Sequence, residues 1–450
     1  MAGRWVDHWE PDDEHFWEST GKRVARRNLS FSIFAEFLGF TIWQLWAVVA
    51  VKLNDNGFDF STSRLFWLVA VPGLVGATMR FPYTFMPARM GGRTWTTISA
   101  LLLLIPTVLL AVMVSDPSTP YALMMLAAAT AGFGGGNFSS SMANISYFYP
   151  EGRKGLALGL NAAGGNVGVA VTLLVVPIAI AAGGIELAGL MWTPLILLAA
   201  FGAFRFMDNL TNARSSFCDQ RVIVHQRHTW LMAILYIGAF GSFIGYSAGL
   251  PLLIDNQFPE NQVALAFLGP LVGSAARPLG GMLSDRLGGA RVTLAAFLVM
   301  AIATLGVIFF ITQKEQPWAF AGFLSTFIVL FVLAAVANGS TFRMVPAIWR
   351  AQTLEQAEQT GESRDEALAR SRREGAAGLG FTAAIAAYGG FVIPQTYNAS
   401  ISLIDGPEIA LAVFCASYLV AAGVTWRCYL ARKVAPAGAR APGGLAHARV

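Results

Sequence analysis

The sequence contains twelve apolar runs of about 20 residues, and this repetition constrains the fold more than any other feature. A run of that length is what a helix needs to cross the hydrocarbon core of a bilayer. Hydrophobic residues make up 55% of the 450 residues and charged residues only 13%, too few to cover a water-soluble protein of this size. The sequence therefore predicts an all-α polytopic membrane protein. Its twelve transmembrane helices are predicted near residues 30–51, 65–88, 94–114, 120–148, 154–181, 187–204, 229–254, 263–283, 292–312, 317–342, 375–397 and 406–426.

Twelve spans in one chain are typical of transporters built from two six-helix halves. We assign the N-terminal half to residues 29–204 and the C-terminal half to 229–430, joined by a loop at 205–228. Residues 1–28 form a polar N-terminal segment without the apolar core of a cleavable signal peptide, so none is expected. The tail at 431–450 is rich in Ala, Pro and Gly and is expected to be disordered.

The distribution of lysine and arginine predicts the orientation in the plasma membrane. Only Lys52, Arg64 and Lys314 lie in loops and span ends on one side. The positive-inside rule assigns the other, richer side to the cytoplasm, together with both termini. The net charge of +5 therefore reflects topology, and no nucleic-acid partner is expected. The cytoplasmic set is Arg23, Arg26, Arg27, Arg89, Arg93, Arg153, Lys154, Arg205, Arg214, Arg221, Arg227, Arg286, Arg291, Arg350, Arg372, Arg373, Arg432 and Lys433.

Two arginines lie inside apolar runs at equivalent positions of an internal duplication. The motif LVGATMR, which ends at Arg80, matches LVGSAAR, which ends at Arg277, and each arginine lies roughly 12 Å from the cytoplasmic end of its span. A charge at such depth is costly and marks a functional site. Apart from Glu36, no acid lies in the interior of a predicted span, so the counter-charge is predicted to be an anionic substrate. Guanidinium groups suit flat oxyanions, and we expect a small planar or tetrahedral anion to be held between the halves at mid-depth.

Glycine-rich segments follow in spans 4, 5 and 11, at residues 132–150, 155–171 and 378–394. Small residues at such spacing let helix backbones approach each other, and either packing or function accounts for these glycines. Asparagines within hydrocarbon need a hydrogen-bond partner, which makes Asn166 a candidate ligand for the anion.

The motifs of the chain carry a family resemblance. The loop GGMLSDRLGGARV at 280–292 is similar to the signature loop of the major facilitator superfamily, with Asp285 and Arg286 in the expected places. Its first-half counterpart, FMPARMGGRTW, lacks the acid. Together with RFPYTFM, GFGGGNFSSSMANISYFYP, GLALGLNAAGGNVGV and YIGAFGSFIGYSAG, this loop makes the chain closely resemble the nitrate/nitrite porter family of NarK-type transporters, from about residue 10 to 430.

The resemblance implies a major facilitator fold that moves nitrate and nitrite by rocker-switch alternating access, as in nitrate assimilation, and not an enzyme. The cysteines lack metal-ligand spacing and no cofactor or metal is expected. Nitrate, nitrite and the lipid bilayer are the expected partners, and the protein is expected to be monomeric. The resemblance further implies that two arginines bind the anion, two polar side chains donate hydrogen bonds and two rings clamp it. These residues are, in that order, Arg80 and Arg277, Asn166 and Tyr236, and Phe138 and Phe240.

The coupling mode stays open at the level of the sequence. An empty site with two arginines is costly to occlude, which favours exchange of nitrate for nitrite. Glu36 departs from the apolar residues that some nitrate porters have in span 1. It could carry a proton alongside nitrate, as in a symporter, or it could be a structural partner near the cytoplasmic edge. A carrier of another small anion is a further alternative.

Overall fold

A computed structural model describes residues 4–211 and 222–431, and almost all of them are helical. The prediction of an all-α membrane protein is confirmed. Within the described residues, eleven helical segments are long and apolar enough to cross a membrane. A twelfth helix, Tyr121–Phe148, has the length but is less apolar because of its glycines, serines and asparagines. The tail at 432–450 and residues 212–221 of the predicted inter-half loop lie outside the described residues.

Contacts divide the chain into two compact units, and the first comprises residues 4–211, 245–271 and 390–402. This division differs from the six-helix halves, which stay a prediction. Short parallel strands β1 (Trp5–Val6) and β2 (Asn209–Leu210) pair within this unit. Its helices in the first part of the chain are α1 (Glu14–Phe16), α2 (Lys22–Trp43), α3 (Leu45–Leu53), α4 (Thr62–Met90), α5 (Gly92–Leu102), α6 (Leu104–Val114), α7 (Tyr121–Phe148), α8 (Glu151–Gly183), α9 (Leu187–Leu190) and α10 (Thr193–Phe206).

Two segments from late in the sequence belong to the first unit, and one of them packs against α4. A Cβ atom on Gly73 would lie 2.4 Å from the backbone of Gly390, so the two helices approach as closely as glycine allows. Beside this crossing, the amide of Gln395 donates to the carbonyl oxygen of Phe66 (3.4 Å). These contacts explain why 390–402 belongs to this unit although the chain reaches it last.

The second unit comprises residues 222–244, 272–389 and 403–431. In chain order, the later helices are α11 (Arg227–Tyr236), α12 (Ser242–Gln257), α13 (Leu268–Leu287), α14 (Gly289–Thr312), α15 (Ala319–Thr360), α16 (Arg364–Ala386), α17 (Gly389–Ile404) and α18 (Glu408–Thr425). Of these, α12 and α17 lie mostly in the first unit, and α13 lies mostly in the second.

The turns that follow the two arginine-bearing helices have the same backbone conformation. Gly91 ends α4 with φ 86°, and Gly288 ends α13 with φ 91°. Residues with a side chain rarely adopt a positive φ, whereas glycine does so without steric cost. The internal duplication seen in the sequence is therefore repeated in the geometry of these turns.

The N-terminal segment packs on the turn between α7 and α8. The indole of Trp9 donates to the carbonyl oxygen of Tyr147 (3.0 Å), and its ring lies 5.4 Å from that of Phe148. The carboxylate of Asp12 accepts from the backbone N–H of Glu151 at the start of α8 (3.0 Å). The segment thus fixes one end of the two glycine-rich helices that carry the candidate site.

Candidate anion-binding residues

Arg80 lies in an aromatic enclosure within the first unit. Its side chain is fully buried, and its Nε donates to the carbonyl oxygen of Gly135 in α7 (3.1 Å). The guanidinium carbon lies 4.6 Å from the ring centre of Phe138, 5.4 Å from Trp43 and 6.0 Å from Phe40. Aromatic faces attract cations and exclude water, so a charge in this place interacts strongly with any anion that reaches it.

Glycine contacts bring Gly135 within reach of Arg80. A Cβ atom on Gly135 would lie 2.6 Å from the indole of Trp43 and 2.9 Å from the Cα atom of Gly76. Any larger residue at Gly135 would push α7 away from α2 and α4. Packing therefore accounts for the glycines at this crossing, and it also sets the position of the guanidinium group.

Asn166 lies on α8 with 1% of its surface exposed. Within the described part of the chain, neither its amide nitrogen nor its amide oxygen has a hydrogen-bond partner. A buried amide without partners is costly, and such a group suits a polar ligand. The sequence-based assignment of Asn166 to the anion stays a prediction, and this burial supports it.

Glu36 is fully buried on α2, one helical turn before Phe40. Its Oε2 accepts a hydrogen bond from the Ser141 hydroxyl of α7 (2.7 Å). The amide of Asn161 on α8 donates to the same hydroxyl oxygen (2.9 Å). Glu36, Ser141 and Asn161 therefore form one polar cluster that joins three helices of the first unit.

Arg277 is the equivalent arginine in the second unit. It is 8% exposed on α13, and its guanidinium carbon lies 5.7 Å from the ring centre of Phe342. Among the residues that the structure describes, its Nη1 is buried without a hydrogen-bond partner. A buried charged donor of this kind is expensive unless a ligand satisfies it.

Tyr236 and Phe240 lie side by side at a wide helical turn between α11 and α12. Residues Ile237–Gly241 form a π-helical turn, and such turns are frequent at functional sites. The two rings are stacked, with centres 5.7 Å apart and planes 22° apart, and both side chains are buried. The structure thus brings these two predicted residues together.

The signature-loop acid pairs with a different helix. Asp285, near the end of α13, forms an ion pair with Arg343 of α15 (2.7 Å), and both side chains are more than half exposed. The sequence does not identify Arg343 as this partner. In the first unit, Asn209 occupies the corresponding turn, where its Oδ1 accepts from the backbone N–H of Thr94 (3.3 Å).

Apart from Phe138, the sequence motifs do not point to the residues that surround Arg80. Trp43 and Phe40 belong to span 1, far from Arg80 along the chain. A signal was present, because Glu36, Phe40 and Trp43 recur at spacings of four and three and so share one face of a helix.

A comparison with known sequences identifies the family. The sequence model described as the Major Facilitator Superfamily matches residues 29–355. The chain is 40% identical over 444 residues to the nitrate/nitrite transporter NarU of Escherichia coli strain K12, which covers 94% of this chain and 96% of NarU. The chain belongs to the NarK-type family of the major facilitator superfamily. The prediction of family is thereby confirmed, and so is the prediction of a transporter rather than an enzyme.

Other relatives agree with this NarK-type assignment. The protein named probable nitrate/nitrite antiporter NarK2 of Thermus thermophilus is 36% identical over 417 residues, with 87% of this chain and 88% of that protein covered. Among solved structures, a point mutant of the nucleoside transporter NupG superposes with a TM-score of 0.62 at 12% identity, over 89% of this chain and 100% of the NupG chain. At such low identity the likeness shows the major facilitator fold alone.

Proposed function

We propose that this NarK-type chain carries nitrate and nitrite across the plasma membrane by alternating access and exchanges one for the other. The names of its relatives support this substrate class. The single observation that carries the proposal is a buried arginine at the equivalent position of each unit, Arg80 and Arg277. Both are proposed to recognise the anion.

The surroundings of these arginines fit a small, weakly hydrated anion. Aromatic rings lie within 4.6 to 6.0 Å of the Arg80 guanidinium carbon. An anion that enters these surroundings must lose water, and the free-energy cost of this desolvation is small when the anion is weakly hydrated. Asn166 and Tyr236 are proposed to donate hydrogen bonds to the edges of the planar ion. Phe138 and Phe240 are proposed to pack against its faces.

Alternating access gives these residues their role in transport. A bound anion offsets the buried positive charge and lowers the cost of occluding the site. Exchange then requires only that an anion occupies the site during each half of the cycle. We further propose that both termini face the cytoplasm, as the distribution of lysine and arginine indicates, and that the monomer is the working unit.

Counterflow tests the proposal directly. Purified protein is reconstituted into liposomes that contain nitrite, nitrate, chloride or formate, and uptake of labelled nitrate from outside is followed. We expect rapid uptake with internal nitrite or nitrate and little uptake with chloride. Equal uptake with formate would assign the protein to small planar anions in general, and no stimulation by nitrite would refute the exchange of nitrate for nitrite.

A further inference from the structure

The cluster of Glu36, Ser141 and Asn161 contains more buried acceptor atoms than its hydrogen-bond donors satisfy. In the described residues, Oε1 of Glu36 and Oδ1 of Asn161 are both buried acceptors without a partner. The single hydroxyl hydrogen of Ser141 is already shared, because Oε2 of Glu36 (2.7 Å) and the carbonyl oxygen of Phe138 (3.1 Å) both lie within its reach. A proton on Glu36 would turn one of these acceptors into a donor.

The charge environment of Glu36 works in the opposite direction. The helices packed against α2 contribute Ser141 and Asn161, which are neutral, and within the described residues the charged group that acts on Glu36 is Arg80 of α4. Phe40, one turn farther along α2, lies 6.0 Å from the Arg80 guanidinium carbon. A protonated Glu36 would supply a donor to the cluster, whereas an ionised Glu36 would offset the charge of Arg80.

We propose that Glu36 is a proton-binding site that is linked to the anion site at Arg80. When an anion reaches Arg80, it takes over the role of counter-charge, and the Glu36 carboxylate accepts one proton from the aqueous side that is open. When the anion leaves, the acid releases that proton and again offsets Arg80. This inference rests on the proposed anion transport and extends it to proton coupling.

A charge count shows what the linkage does for transport. In the empty state, the charges of Arg80 and an ionised Glu36 sum to zero. In the loaded state, the charges of Arg80, one monovalent anion and a neutral Glu36 also sum to zero. Occlusion of the empty and the loaded first unit therefore carries the same net charge, so the empty carrier can return. With glutamine at this position the empty state carries one unbalanced charge, and the carrier is restricted to exchange.

Thermodynamic linkage makes the effect reciprocal. If the anion promotes proton binding, protons promote anion binding by the same factor. Nitrate should bind more tightly at low pH. Its apparent Kd should rise about tenfold per pH unit in the pH range where binding of one nitrate is accompanied by uptake of one proton. In Glu36→Gln this dependence should vanish.

Proteoliposomes without internal nitrate or nitrite test the coupling. An acid-outside pH gradient is imposed, and both labelled nitrate and internal pH, reported by an entrapped dye, are followed. We expect the wild type to accumulate nitrate and acidify the lumen, and Glu36→Gln to do neither while it keeps nitrate/nitrite counterflow. Glu358→Gln, which removes an exposed carboxylate of α15, is the matched control and should behave as the wild type.

The outcomes separate this inference from the proposed function. Counterflow without any response of the wild type to the pH gradient would overturn the proton site and leave the exchanger intact. Absence of counterflow in the wild type would instead refute the proposed function.

If Glu36→Gln loses counterflow as well, proton uptake is measured during nitrate binding to purified wild-type protein in weak buffer. About one proton per nitrate is expected. No proton uptake from about pH 5 to about pH 9, a range that brackets buried carboxyl groups, would overturn the inference.

Discussion

Arg80→Lys is the sharpest test of the anion site, because it keeps the charge and removes the planar donor group. The Nε of Arg80 donates to the carbonyl oxygen of Gly135 (3.1 Å), and the guanidinium group is proposed to donate to the anion as well. A lysine has one charged nitrogen. This nitrogen cannot donate to the Gly135 carbonyl oxygen and also offer two coplanar N–H groups to the anion. The substitution should therefore cost the protein one charge-assisted hydrogen bond to nitrate.

The size of the effect follows from that single bond. A hydrogen bond to a charged group contributes about 1.5 to 3 kcal/mol. This corresponds to a rise of roughly 10- to 150-fold in the nitrate concentration that gives half-maximal transport. At the wild-type half-saturating concentration, transport should fall by roughly 80% or more.

Initial rates of labelled nitrate counterflow, measured over a range of external nitrate at matched protein density, give the half-saturating concentration. Arg64→Lys, an exposed arginine near the start of α4, is the matched control and should leave it unchanged. A half-saturating concentration for Arg80→Lys equal to that of the wild type would refute the assignment of Arg80 to the anion.

Three further predictions concern the rings, a turn and the N-terminal segment. Phe138→Ala and Phe240→Ala should each weaken nitrate binding while the protein stays folded, and unchanged half-saturation in both would assign the rings to core packing. Gly288→Ala should lower the free energy of unfolding by about 1 kcal/mol or more because φ is 91° there. Gly281→Ala, whose new Cβ atom would meet no other atom within 4 Å, should be neutral, and thermal melts in detergent compare the two variants. Trp9→Ala should cost about 3 kcal/mol of stability, and a melting temperature equal to that of the wild type would show that the N-terminal segment is dispensable.

The sequence alone was enough for the membrane class and for the two arginines. Span length is a local property, since about 20 apolar residues must be consecutive to cross the hydrocarbon core. The duplication is equally visible, because the matched motifs align Arg80 with Arg277. Farther along, they align Gly91 with Gly288, which lie in the turns after the two helices. The predicted spans therefore follow the helices of the structure closely, apart from extensions such as α15, which continues to Thr360.

Only the tertiary structure decided which side chains meet across helices. Glu36 and Ser141 are 105 residues apart in the sequence, and neither local sequence specifies that their two helices touch at these residues. Trp43 and Gly135 come together around Arg80 for the same reason. In a membrane bundle the surrounding lipid is as apolar as the core, so spacing can show which residues share a helix face but not which neighbouring helix that face meets. Helix rotation and pairing, set by glycine contacts and buried polar groups, place Arg80 and Glu36 in one electrostatic environment.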